Sequence, residues 1–151
     1  MNLDLDIQFE HAFDVRIDFD KRWSFGPLPG GGKQGYTSVK TGLVEGPLLN
    51  GRVVESSGAD WPIVRPDGVI ELQAHYMLEA SDGTPIYIRN LGYVHTANGP
   101  NPGYFRCTPY FRAPEGPHGW LNHTVFVALG QRRPGTESEP DHSLFRYYAV
   151  R

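Results

Sequence analysis

The chain has 151 residues, long enough for one domain with its own core. Lys plus Arg number 14 against 17 Asp plus Glu, a formal net charge of -3, which argues against a nucleic-acid partner held by phosphate neutralisation. A single cysteine rules out an internal disulfide, and no run approaches the ~18 apolar residues of a membrane-spanning helix.

From Leu3 to Phe19 the odd positions read Leu, Leu, Ile, Phe, His, Phe, Val, Ile, Phe, and the even positions are nearly all polar. That period of two is a strand signal. One straight strand of this length would span roughly 55 Å at ~3.3 Å per residue. A bend or bulge near Glu10–Ala12, with a second strand beyond it, is therefore expected. The acidic start "MNLDLDIQFE" has no apolar leader core, so no secretory signal is expected, and the lone thiol fits a reducing cytoplasm. "FGPLPGGGKQG", from Phe25, reads as a loop. Its Gly-Lys is followed by Gln34 where a phosphate-binding loop needs Ser or Thr.

Further strands are read in "TSVKTGLV", "LLNGRVVE", "GVIELQAHYMLEA", "TPIYIRNLGYV", "YFRCTPYFRA", "WLNHTVFVALGQ" and "SLFRYYAV". Turn signals separate them: "RPDG", "SDG", "TANGPNPG", "APEGPHG" and "RPGTESEPD". No window joins a cap to a 3.6-residue apolar period, so little helix is expected. The fold class that follows is all-β, one domain over residues 1–151, with about nine or ten antiparallel strands. Long strands in a short chain favour a barrel over a sandwich, because closure removes exposed edges. A barrel of this size can hold one small ligand in its mouth.

Side-chain facing follows from the same alternation. Ile70, Leu72, Ala74, Tyr76 and Leu78 are expected to face in, as are Phe105, Cys107 and Phe111, which points Arg106 outward. In "WLNHTVFVAL" the apolar set Leu121, Val125, Val127 and Leu129 would leave Trp120 and Asn122 outside. A ligand-binding barrel can invert this rule, and periodicity alone does not separate the cases.

"TGLVEGPLLNGRV", "SSGADW", "RPDG", "DGTPIYIRN", "YFR" and "WLN" occur in this order. Together they resemble the small bacterial and fungal proteins grouped as domain of unknown function 3237, from about Phe9 to the C-terminus. The resemblance implies a calycin-like, lipocalin-like antiparallel barrel, often a homodimer. The chain departs from the pattern in its acidic N-terminal extension and in the "GPNPG" and "GQRRPGTESEP" loops.

Asp60 and Trp61 stand together in "ESSGADWPIVRPDG", between two long strands. Asp60 either caps a local turn while Trp61 plugs the barrel, or the pair lines a site. Against an apolar wall the Asp60 carboxyl would lose hydration and rise in pKa towards neutrality, which suits a general acid or base. Arg89 and Arg106 are candidates to hold a carboxylate, enolate or phenolate, or else form salt bridges on the barrel exterior. Asn90 and Asn122 are candidate hydrogen-bond donors. Trp61, Tyr76, Tyr87 and Trp120 are candidate walls. Cys107 reads as a buried thiol.

None of the six histidines (His11, His75, His95, His118, His123, His142) sits in a His-x-His or His-Glu-x-x-His pattern, so no metal is expected. No dinucleotide fingerprint or nucleophile elbow is present, so no cofactor is expected. The expected function is a cofactor-free isomerase, cyclase or ring-opening enzyme for a small aromatic or polyketide-like molecule. Its catalytic residues would be Asp60, Arg89 and Arg106. The alternative is a non-catalytic small-molecule binder or carrier. The expected partners are a small-molecule ligand and a second copy of the chain, not nucleic acid or membrane.

Overall fold

The computed structural model describes residues 3–95 and 103–151. Ten strands are described: β1 (Phe9–Phe25), β2 (Lys33–Glu45), β3 (Gly51–Val53), β4 (Ala59–Asp60), β5 (Ile63–Val64), β6 (Ile70–Ala80), β7 (Pro85–His95), β8 (Tyr104–Arg112), β9 (Phe126–Arg133) and β10 (His142–Val150). A single 3-10 turn, Gly119–His123, is the only helix among the described residues. All pairings are antiparallel, and the ladder runs β1, β10, β9, β8, β7, β6. The short strands β3, β4 and β5 share the next position, each pairing β2 on one side and β6 on the other. β2 then pairs β1 and closes the sheet into an eight-position barrel.

β1 is long because it serves two neighbours in turn. It pairs β10 from Phe9 to Asp18 and β2 from Asp14 to Phe25. The expected bulge is present: the register shifts between His11 and Phe13, and both Ala12 and Phe13 are fully buried. Two details differ from expectation. The strand continues through the bulge as one element, and it begins at Phe9. Leu3, Leu5 and Ile7 alternate like a strand but stand exposed ahead of the barrel.

The turns follow their glycines. Gly68 in "RPDG" has φ 85° and donates to the Arg65 carbonyl at 2.9 Å. Gly83 in "SDG" has φ 87° and donates to the Ala80 carbonyl at 2.8 Å, closing the β6–β7 hairpin. The "TANGPNPG" turn and the "GPNPG" departure fall on residues 96–103, of which only Gly103 lies among the described residues.

One half of the barrel interior is filled. Phe13, Phe111, Phe126 and Tyr147 pack with ring centroids 5.0 to 6.3 Å apart. Edge-on and tilted contacts of this kind add to the burial of large apolar surface. The 3-10 turn covers this end: Leu121 is buried and Trp120 packs on Phe126 at 5.7 Å. This corrects the facing read in "WLNHTVFVAL". The turn over Gly119–His123 breaks the period of two, so Phe126 and Ala128 are the inward residues. Val125 and Leu129 are exposed instead. In β6 and β8 the expected facing holds, with Tyr76, Leu78, Phe105, Cys107 and Phe111 buried and Arg106 exposed.

Candidate functional site

The other half of the barrel is open. A cavity of about 390 Å³ runs inward from the end where β1 finishes and β2, β6 and β10 begin. That volume suits a small organic ligand. Its apolar wall includes Phe19, Val39, Leu72, Val94, Phe105 and Phe145. Asp60, Thr37, Tyr76, Asn90 and Ser143 bring polar groups to it, and Arg22 and Arg132 stand at the rim.

Asp60 reaches this wall because the chain between β2 and β6 is drawn tightly into the sheet. In the β4 ladder Asp60 lies opposite Thr37 on one side and Ala74 on the other. Gly58 makes the approach feasible: a Cβ there would overlap the His75 carbonyl oxygen. The Gly58 carbonyl in turn accepts from the Val39 N–H at 3.0 Å. Alternation then turns Asp60 inward and Trp61 outward. Trp61 is 51% exposed, packs on the Tyr36 ring at 4.6 Å, and is not part of the cavity wall.

Burial pushes the Asp60 carboxyl up to about 6, well above the ordinary aspartate value. The opposing pulls are smaller: backbone N–H groups of Gln73 and Trp61, and the positive charge of Arg22. The Gln73 N–H donates to Oδ1 at 2.9 Å. A half-buried carboxyl that changes charge near neutrality is suited to giving and taking a proton.

The arginines near Asp60 are committed elsewhere. Arg22 donates through Nε to Asp141 at 2.7 Å and through Nη1 to Thr37 Oγ1 at 3.0 Å. Arg132 donates through Nη2 to both Asp141 oxygens, at 3.1 and 3.2 Å. One carboxylate thus bridges two guanidiniums beside the cavity. Below them, Asn90 and Tyr76 are each 2% exposed. Asn90 Nδ2 donates to the Tyr147 hydroxyl at 3.3 Å, while Asn90 Oδ1 and the Tyr76 hydroxyl have no partner among the described residues. Burial pushes the neighbouring Cys107 thiol up to about 12, so it stays neutral.

The expected site residues therefore separate. Asp60, Tyr76 and Asn90 line the cavity. Arg89 and Arg106 do not converge with Asp60 there; both are exposed on the barrel exterior. Arg106 packs over the Tyr104 ring at 5.2 Å and donates to the Phe105 carbonyl. Strand alternation explains this, since Asn90 and Phe105, their neighbours in sequence, point inward. Tyr87 is on the outer face, bonded to His75 Nδ1 at 2.6 Å. Asn122 staples a loop: its amide accepts from the Ala113 N–H and donates to the Ala113 and Gly119 carbonyls. Trp120 plugs the closed end.

Sequence reasoning missed Arg22, Arg132 and Trp23, a 69% exposed aromatic at the cavity edge. No group of three or more His, Cys, Asp or Glu side chains comes together among the described residues as a metal site would require.

The family model for the protein of unknown function DUF3237 matches residues 7–150. The chain belongs to this family. A UPF0311 protein of Clostridium acetobutylicum is 30% identical to it over 96% of this chain and 95% of its own. A beta-barrel like protein from Acinetobacter baumannii superposes with a TM-score of 0.87 at 27% identity, covering 100% of both chains. An enzyme from Penicillium herquei superposes with a TM-score of 0.73 at 17% identity, covering 100% of this chain and 99% of its own. At that identity the likeness is one of fold.

Proposed function

We propose that this chain is a cofactor-free acid/base enzyme acting on a small aromatic or polyketide-like molecule held in the barrel. The reaction would be an isomerisation, ring closure or ring opening. One observation carries this reading: Asp60, pushed up to about 6, stands on the wall of a 390 Å³ cavity with arginines at its rim. In this reading ionised Asp60 takes a proton from a phenolic O–H or an activated C–H of the ligand. The ligand becomes a phenolate or enolate, and the Asp60 carboxylic acid returns the proton at a second position. Arg22 and Arg132 replace Arg89 and Arg106 as the source of positive charge for the anion. Tyr76 and Asn90 hold the buried end of the ligand through their unpartnered atoms. The enzyme of Penicillium herquei supports the reading only in that this barrel can host catalysis.

The second reading is a non-catalytic binder, favoured by the same unpartnered atoms on Tyr76 and Asn90. Asp60→Asn separates the two. Wild type and variant are incubated with a panel of hydroxylated aromatics and cyclic diketones, and both binding and conversion are followed. The enzyme reading expects a compound that wild type converts and that the variant binds within a few fold while converting it at least ~100-fold more slowly. Binding without conversion by wild type establishes the carrier reading. The family resemblance adds a homodimer to the proposal, which sedimentation velocity tests directly.

A further inference from the structure

The charges around the cavity do not balance in the same way in both protonation states of Asp60. Arg22 and Arg132 contribute two positive charges and Asp141 one negative charge. With Asp60 ionised the group sums to zero; with Asp60 protonated it sums to +1. Arg132 is under-compensated: burial and the charge of Arg22 both work against its protonated form, and Asp141 is shared. Arg132 Nε and Nη1 have no hydrogen-bond partner among the described residues.

The other groups facing Asp60 hold their charge state fixed. On β6, Tyr76 is pushed well above its ordinary value by burial, and on β8 Cys107 is pushed up to about 12. Thr37 on β2, Asn90 on β7 and Ser143 on β10 carry no charge. His142 bonds the Pro140 carbonyl and does not line the cavity, and His75 is turned to the outer face with Tyr87. Asp60 is the one carboxyl on the described cavity wall, and no histidine lines it.

We propose that the barrel binds a planar aromatic monoanion, its negative group on Arg132 and Arg22 and its ring against the wall that Phe105 and Phe145 form together, and that binding takes up one proton onto Asp60. The inference rests on the reading that the cavity holds a small aromatic ligand. It adds the charge of that ligand and the proton that accompanies it. A bound monoanion beside protonated Asp60 has the same net charge as the state reached when ionised Asp60 deprotonates a neutral phenol. The ligand class that binds best is then the one resembling the reaction after proton transfer.

The test is calorimetric titration with 2-naphthoate and with its neutral counterpart 2-naphthamide. Naphthoate is ionised throughout the range used, so its own titration adds nothing. In two buffers of different ionisation enthalpy at about pH 7.5, the difference in heat should report uptake of close to one proton per naphthoate and none per naphthamide. Naphthoate affinity should rise about tenfold per unit as pH falls from about 8 to 6.5 and level off below about 6. Asp60→Asn should bind naphthoate without proton uptake and without this pH dependence. Arg132→Gln, checked for folding by its thermal melt, should remove the preference for naphthoate over naphthamide.

Binding of naphthoate without proton uptake by wild type overturns the proposal, as does naphthamide binding equally well, or neither compound binding. These outcomes are independent of the fate of the enzyme reading, which turns on conversion by wild type and Asp60→Asn.

Discussion

Asp60 and Arg22 meet through Thr37 rather than directly. Thr37 lies opposite Asp60 in the β2–β4 ladder, and its hydroxyl accepts from Arg22 Nη1 at 3.0 Å. Arg22 Nε and Nη2 turn to Asp141. Asp60 thus feels a positive charge without an ion pair, and burial prevails over attraction in setting its protonation. Had the guanidinium turned to Asp60, an ion pair would hold the carboxyl lower and make it a weaker base.

That arrangement costs stability. The folded-state value of about 6 exceeds the ordinary value of 3.8, so between them the native state holds a proton that the unfolded chain has released. Stability contributed by this group is full below about pH 3.8 and is lost as pH rises towards about 6. Two units correspond to at most about 3 kcal/mol. Asp60→Asn keeps an acceptor for the Gln73 N–H and loses the buried charge. Urea unfolding at about pH 7.5 should show the variant more stable by about 1–3 kcal/mol, with the gap closing near pH 4. A variant less stable than wild type at both pH values would make Asp60 a structural residue.

Gly58 is the position where backbone closeness creates the site. Its Cβ-free approach to the His75 carbonyl lets β4 sit between β2 and β6. Gly58→Ala should force these strands apart, lowering stability by about 2 kcal/mol or more and displacing Asp60. Chemical denaturation and ligand titration read the two effects together. An unperturbed Gly58→Ala protein would show that the ladder has slack.

Exterior arginines provide the control. Arg89→Ala and Arg106→Ala should change stability by no more than about 0.5 kcal/mol and leave affinity for any cavity ligand within twofold. Arg22→Ala and Arg132→Ala should weaken binding of an anionic ligand by tenfold or more. Equal effects from both pairs would place the ligand outside the barrel.

At the closed end, Phe13 touches Phe111, Phe126 and Tyr147. Phe13→Ala should cost about 3–5 kcal/mol in urea unfolding, since four rings share one layer. A cost under about 1 kcal/mol would mean that the layer collapses around the gap.

The barrel was legible because antiparallel strands with one buried face write their pairing into alternation, and β6 and β8 do so cleanly. Legibility ended where alternation was interrupted. The register between β1 and β2 shifts again between Phe19 and Arg22, so the parity that buries Val15 and Ile17 does not carry through to the arginine. Arg132 stands in "GQRRPG", which reads as the edge of a loop, and Asp141, its partner, comes nine residues later. Asp60 was visible as an acid lodged among small and aromatic residues. Its apolar surroundings come from the cavity wall, including Leu72 and Ala74, while Trp61 faces away. Only the closed barrel brings these distant positions together.

The most direct measurement is the titration of the Asp60 side-chain carboxyl by carbon-13 NMR, assigned by comparison with Asp60→Asn. A midpoint near 6, about two units above those of exposed aspartates, is the expected result. A midpoint near 4 would mean a hydrated, permanently charged carboxylate, and would contradict the assignment of Asp60 as the proton-carrying group of the cavity.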